Sequence, residues 1–181
     1  MGTCLYVGMD DSNHAGENIK GEINLAVFSF MHQDSIVRVF NNRRNYNLAE
    51  EWISESGRDY RFTILTGERW MSGPANLVYT APALIGEFLK DKSDMGIDSV
   101  NLYLDGYLNS QNKKYLREQF KHISQFTVAN FIKKRRNLGG RISKRPRCPA
   151  VTYFADVLAH NMLGKSVEDC LTDRRYIPFL T

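Results

Sequence analysis

The chain has 181 residues with 43% apolar and 24% charged side chains, which suits one folded domain and excludes a disordered chain. No apolar run reaches the ~18 residues of a membrane span, and the opening segment has neither a basic stretch nor a cleavage site, so a cytoplasmic protein with no membrane partner is expected. Three scattered cysteines (Cys4, Cys148, Cys170) and four scattered histidines offer neither a disulfide framework nor a His/Cys metal cage, so any bound cation would be a hard one held by carboxylates.

Thr3–Met9 reads as a buried strand, followed by a turn at Asn13–Gly16. Glu22–Met31 reads as a second strand and Ser35–Phe40 as a third, then a short helix over Leu48–Ser56 and a strand over Tyr60–Leu65. Ala81–Lys90 has helical spacing at Leu84, Ile85, Phe88 and Leu89, with Pro82 in the first turn. Val100–Asp105 is the central strand, Ser110 caps a helix carrying Leu116, Phe120 and Ile123, and Phe126–Ile132 is the next strand.

Between Lys133 and Arg147 lie eight cations (Lys133, Lys134, Arg135, Arg136, Arg141, Lys144, Arg145, Arg147) and no acid. The rest of the chain holds 16 basic and 20 acidic residues, so the positive charge is local, as a phosphate-binding loop requires. The same run also suits a plain solvated loop. Gly139, Gly140, Pro146 and Pro149 predict irregular backbone across residues 133–149. A helix follows over Ala150–Leu163, with Val151, Phe154, Ala155, Leu158 and Met162 in one stripe and small Ala155 and Ala159 for close packing on a sheet. The tail after Gly164 has no legible pattern. Together these elements predict a single α/β domain over 1–181, a mixed sheet flanked by helices.

Three acids fall where a half-buried charge needs a partner. Asp10, with Asp11, ends the first strand; Asp105 ends the central one; Asp156 sits inside the last helix, beside its apolar stripe. Parallel neighbouring strands would bring Asp10 and Asp105 within about 5 Å, and a helix across them could add Asp156. Such a set could hold Mg²⁺ or Mn²⁺ for phosphodiester hydrolysis. Alternation puts Asp10 beside Gly8 and Tyr6 and points Asp11 away unless the strand breaks there. Each acid alone also suits a structural role, as turn, strand exit or helix-flank ion pair. His160, one turn after Asp156, could assist or simply sit on the surface.

Tyr6-Val7-Gly8-Met9-Asp10-Asp11-Ser12 resembles the opening Asp-Glu-Ser-Gly motif of an uncharacterised bacterial, archaeal and phage family in the ribonuclease H-like superfamily. Leu102-Tyr103-Leu104-Asp105-Gly106 resembles its central acidic strand, and Thr152 to Ala159 its closing Ala-Asp-Leu helix. Type-2 ribonuclease H is similar more distantly. The resemblance spans Leu5 to Met162 through short motifs, and it departs at Asp11, where Glu is usual, and at Ser12-Asn13, which lacks the Gly. It implies a ribonuclease H-like fold and a metal-dependent nuclease acting on RNA, DNA or a hybrid, with Asp10, Asp105 and Asp156 catalytic and Asp11 a further metal ligand; the eight cations, by their local charge, are the expected nucleic-acid contact. By analogy with type-1 ribonuclease H, Glu87 is a fourth candidate carboxylate. The alternative is an inactive ribonuclease H-like module that binds nucleic acid or protein. No phosphate-loop motif and no nucleophile elbow supports other enzyme classes.

Overall fold

The computed structural model describes residues 2–12, 21–40, 45–66, 74–106, 108–131, 137–138, 141–142 and 147–179. Along the chain run β1 (Thr3–Ser12), β2 (Glu22–Ser29), a 3₁₀ turn (His32–Ser35), β3 (Arg38–Val39), α1 (Tyr46–Ser54), β4 (Arg58–Leu65) and α2 (Pro74–Asp91). Then come a second 3₁₀ turn (Ser93–Met95), β5 (Ile97–Asp105), α3 (Ser110–Gln119), β6 (Gln125–Phe131), β7 (Asn137–Leu138), β8 (Arg141–Ile142), β9 (Arg147–Cys148), α4 (Ala150–Met162) and α5 (Val167–Thr172). The main sheet has the order β4-β2-β1-β5-β6; β2 is antiparallel to both its neighbours, whereas β1, β5 and β6 are parallel. The class is α/β with a mixed sheet flanked by helices, as the sequence predicts.

Strand alternation divides the core in two. Leu5, Val7 and Met9 of β1, Ala26 and Phe28 of β2, and Val100, Leu102 and Leu104 of β5 pack under α2 and α3. Ile23, Leu25 and Val27 of β2 and Tyr60 and Phe62 of β4 pack under α1 and α4 on the other face. Burial on both faces suits the unbroken apolar run Leu25–Phe28 of β2, a strand buried along its whole length. Helix α4 lies chiefly over β1 and β2 and only marginally over β5.

Several expectations are corrected. β1 runs three residues beyond Met9, because its pairing with β2 persists to Ser12↔Ile23. The third strand is only two residues long, since Ile36, Val37 and Val39 are exposed and no buried face holds them in a sheet. Helix α2 starts at Pro74 and keeps Pro82 inside it. Its buried stripe of Leu77, Val78, Ala81, Leu84, Ile85 and Phe88 outweighs the one backbone hydrogen bond a proline forfeits. Asn109, not Ser110, caps α3, its side chain accepting from the Asn112 N–H at 2.8 Å. The tail forms α5, and Tyr176 bridges to Phe62. The Asn13–Gly16 turn lies outside the described residues.

Candidate functional site

β1 and β5 carry the first two candidate acids to neighbouring positions. Their parallel register runs through Gly8↔Tyr103 to Met9↔Leu104, and Asp10 and Asp105 are the next residue on each strand. Leu102 and Leu104 point into the α2 side, so Asp105 faces the other way, as Asp10 does beside Tyr6 and Gly8. Adjacent strands are about 5 Å apart, which puts both carboxylates over one patch of the sheet. Asp10 is only 4% exposed, and its Oδ1 accepts the Asp11 N–H at 2.9 Å. Gly106 ends β5 with φ of 111°, a conformation that favours glycine, and donates its N–H to the Phe131 carbonyl at 3.0 Å.

Gly8 sets the third element. A β-carbon there would lie 2.1 Å from the Val151 carbonyl carbon and 2.4 Å from the Thr152 nitrogen, so the first turn of α4 rests directly on β1. Alternation alone gives the space at Gly8 to Asp10; the helix backbone takes it. Thr152, Asp156 and His160 follow at four-residue intervals along one flank of α4, and the latter two are half-buried. Thr152 is fully buried, and its Oγ1 has no hydrogen-bond partner among the described residues. Asp156 therefore rides on the helix that covers the Asp10 face. Among the described residues, however, no group of three or more His, Cys, Asp or Glu side chains is gathered closely enough to hold a metal ion. What the strands bring together is the pair Asp10 and Asp105. Both are hard oxygen donors, which fits Mg²⁺ or Mn²⁺.

Asp11 goes elsewhere. Because β1 stays regular through Ser12, Asp11 stands opposite Asn24 on the α2 side of the sheet. That side holds a buried polar network that sequence reasoning missed. Glu22 accepts from the Asn24 amide at 2.8 Å and the Asn76 amide at 2.7 Å, and Thr80 Oγ1 donates to Asn24 Oδ1 at 3.3 Å. Burial raises the Glu22 carboxyl above its ordinary pKa, while the two amides pull it down. Glu87 is on α2, also across the sheet from Asp10, and pairs with Lys90.

A second missed acid, Asp34, is wholly buried. Arg58 grips it through Nε at 2.7 Å and Nη2 at 3.2 Å, Ser29 Oγ donates at 2.7 Å and Trp52 Nε1 at 3.3 Å. Every carboxylate lone-pair direction is used inside the protein, which marks a structural ion pair rather than a site. In the sequence nothing links Asp34 to an arginine 24 residues away.

Of the basic segment, Lys133, Lys134, Arg135, Arg136, Lys144 and Arg145 lie outside the described residues. Arg141 belongs to the short β7–β8 pair, and Arg147 is exposed in β9, paired with Val39. The described residues that flank the segment lie on β6, the neighbour of the strand that carries Asp105, and on the helix that carries Asp156. Phe131, where β6 ends, is the register partner of Asp105, and Ala150–Val151 begins the helix that rests on Gly8. No helix among the described residues is long and apolar enough to cross a membrane.

No family model matches the sequence, and no curated protein matches it. Among solved structures, the chain is similar to a chain of the PCNA:RNase HII complex from Archaeoglobus fulgidus, at 16% identity and a TM-score of 0.46, covering 91% of this chain and 75% of that one.

Proposed function

We propose that this chain is a divalent-metal-dependent nuclease whose ion is held by Asp10 and Asp105, with Asp156 as a third ligand from α4. The observation that carries the reading is the register of two parallel strands, which sets two aspartates side by side on one face at the edge of the helix bearing the third. Two adjacent carboxylates repel one another in a partly buried setting, and a divalent cation relieves that repulsion. When bound, Mg²⁺ or Mn²⁺ would activate a water and stabilise the oxygen leaving a phosphodiester.

The chain's own residues supply position. β1 and β5 fix the spacing of the two carboxylates, and the Asp11 N–H orients Asp10. Gly8 lets the first turn of α4, the helix that carries Asp156, rest directly on β1. The cations of residues 133–147, which lie in sequence between β6 and α4, are proposed to hold the phosphate backbone. The lack of a gathered three-ligand group among the described residues favours one alternative, an inactive nucleic-acid-binding module of the same fold.

The test is cleavage of RNA, DNA and hybrid substrates with Mg²⁺ and Mn²⁺, with Mn²⁺ binding followed in parallel. Metal-dependent cleavage abolished in a folded Asp105→Asn variant supports the nuclease. Nucleic-acid binding with no cleavage on any substrate supports the inactive module.

A further inference from the structure

The sheet face that carries Asp105 continues past α4 onto β5 and β6, where it is lined by Asn101, Tyr103 and Asp105 on one strand and Thr127, Ala129 and Phe131 on the next. All of these except the exposed Thr127 are half-buried. Phe131 is the direct register partner of Asp105, which sets their β-carbons about 5 Å apart. The Tyr103 and Phe131 rings are 5.8 Å apart and tilted by 51°, so the two rings do not stack face to face. Among the described residues Phe131 belongs to neither core cluster: β6 sends Phe126 and Val128 into the one under α2 and α3, whereas Phe131 touches the one under α1 and α4 only through Tyr103. The chain next to Phe131 then supplies four cations within five residues, Lys133, Lys134, Arg135 and Arg136.

We infer that Phe131, with Tyr103 behind it, is a stacking platform for an unpaired nucleobase next to Asp105, so that the polynucleotide entering this site is single-stranded. The inference rests on the nuclease reading for its location and adds the substrate class. A ring lying flat on a base needs the base's π-face, which an intact duplex hides and a single strand presents. Four cations follow Phe131 directly in the sequence, and that local positive charge suits the phosphates flanking such a base, which favours a polynucleotide over an apolar peptide as the occupant. Stacking of this kind tolerates any base, so the platform would set strandedness and not sequence.

Binding can be measured without divalent ions, which separates it from chemistry. The probe is a single-stranded DNA oligonucleotide carrying one 2-aminopurine, whose fluorescence is quenched on stacking, compared with a blunt duplex of the same sequence. The wild type is expected to quench the probe and to prefer the single strand. Phe131→Leu should weaken single-strand binding about five- to tenfold and remove the quenching, whereas Phe131→Tyr should keep both, and duplex binding should be the same in all three. Tyr103→Leu should lower the quenching in the same direction. Wild-type affinity and quenching in a folded Phe131→Leu, or preference for the duplex, overturns the inference. Quenching by a wild type that cleaves nothing with Mg²⁺ or Mn²⁺ keeps the platform and overturns the nuclease reading. Metal-dependent cleavage with an unchanged KM in Phe131→Leu does the reverse.

Discussion

Gly8 on β1 and Val151 on α4 meet backbone to backbone, leaving no room for even a methyl group between sheet and helix. Gly8→Ala must therefore push α4 off the strand or bend β1. The expected cost is about 3 kcal/mol or more, a fall in melting temperature of roughly 6–12 °C for a chain of this size. Gly86, inside α2, is the control, since a β-carbon there meets nothing within 4 Å. Gly86→Ala should raise the melting temperature slightly, by removing a helix-interior glycine worth about 0.5–1 kcal/mol. Equal melting temperatures for Gly8→Ala and the wild type would show that α4 does not rest directly on β1.

How far the sequence can be read follows from which interactions are local. Alternation locates β1, β4, β5 and β6, and the α4 stripe is periodic, so the amino-acid pattern alone places Asp10, Asp105 and Asp156 on their elements. The start of α2 is not legible in this way, because Pro74 and Pro82 both suit a first turn and only burial of Leu77 and Val78 chooses between them. Nor is the placement of Asp11, which depends on whether β1 holds its ladder to Ser12. Glu22, Asp34 and Phe131 are invisible as well. Their partners Asn76, Arg58 and Asp105 lie 24 to 54 residues away, brought in by pairing and packing that no local pattern encodes.

Asp34 and Arg58 are expected to behave as one unit. Their side chains are 1% and 4% exposed, and Arg58 also lies over the Trp52 ring at 4.6 Å. Among the described residues, removing Arg58 leaves the buried Asp34 only the half-exposed Arg38, at 3.8 Å, for an ion pair, and removing Asp34 leaves the buried Arg58 only the exposed Glu55, so Asp34→Ala or Arg58→Ala should each cost about 3–5 kcal/mol. The double variant should cost much less than the sum of the two. Additive losses in urea unfolding would mean that the pair is not coupled.

Glu22 predicts a pH dependence whose sign is fixed. Burial raises its carboxyl above the ordinary 4.5, so the fold holds the neutral acid more tightly than the unfolded chain does. That contribution is complete below about pH 4.5 and is lost as pH rises through the folded value. Glu22→Gln removes the titration. Between pH 4 and about pH 7, the unfolding free energy of the variant should therefore rise relative to the wild type and then level off. A difference that stays flat across this range would show that Glu22 is no more basic in the fold than outside it.

The two faces of β1 give the nuclease reading an internal control. Asp10 and Asp11 are adjacent in sequence but point to opposite sides of the sheet. Asn is nearly isosteric with Asp, so each substitution changes charge with little change in shape. Asp10→Asn should lower metal-dependent turnover by at least about a hundredfold, as expected when a catalytic-ion ligand is lost, and should weaken Mn²⁺ binding. Asp11→Asn should leave both within about threefold. If Asp11→Asn is the more damaging of the two in a melting-controlled assay, the catalytic face has been assigned to the wrong side of the sheet.

The basic segment follows Phe131, the register partner of Asp105, and precedes Ala150–Val151, which rests on Gly8, so it is the expected phosphate contact of a strand entering the site. Each phosphate contact releases condensed counter-ions, contributing roughly 0.7–0.9 to the log–log slope of affinity against salt. Replacing Arg135, Arg136, Lys144 and Arg145 together by Gln should weaken binding of many sequences alike and flatten that slope by up to about 3.6. Mn²⁺ affinity at the aspartates should not change, because their ligands sit on β1, β5 and α4. The same quadruple variant should still quench a 2-aminopurine probe at saturating concentration, since stacking belongs to Phe131 and phosphate binding to the cations that follow it. An unchanged slope would put the phosphate track on another surface, and a lost Mn²⁺ site would mean that the substitutions had disturbed the fold rather than the contact.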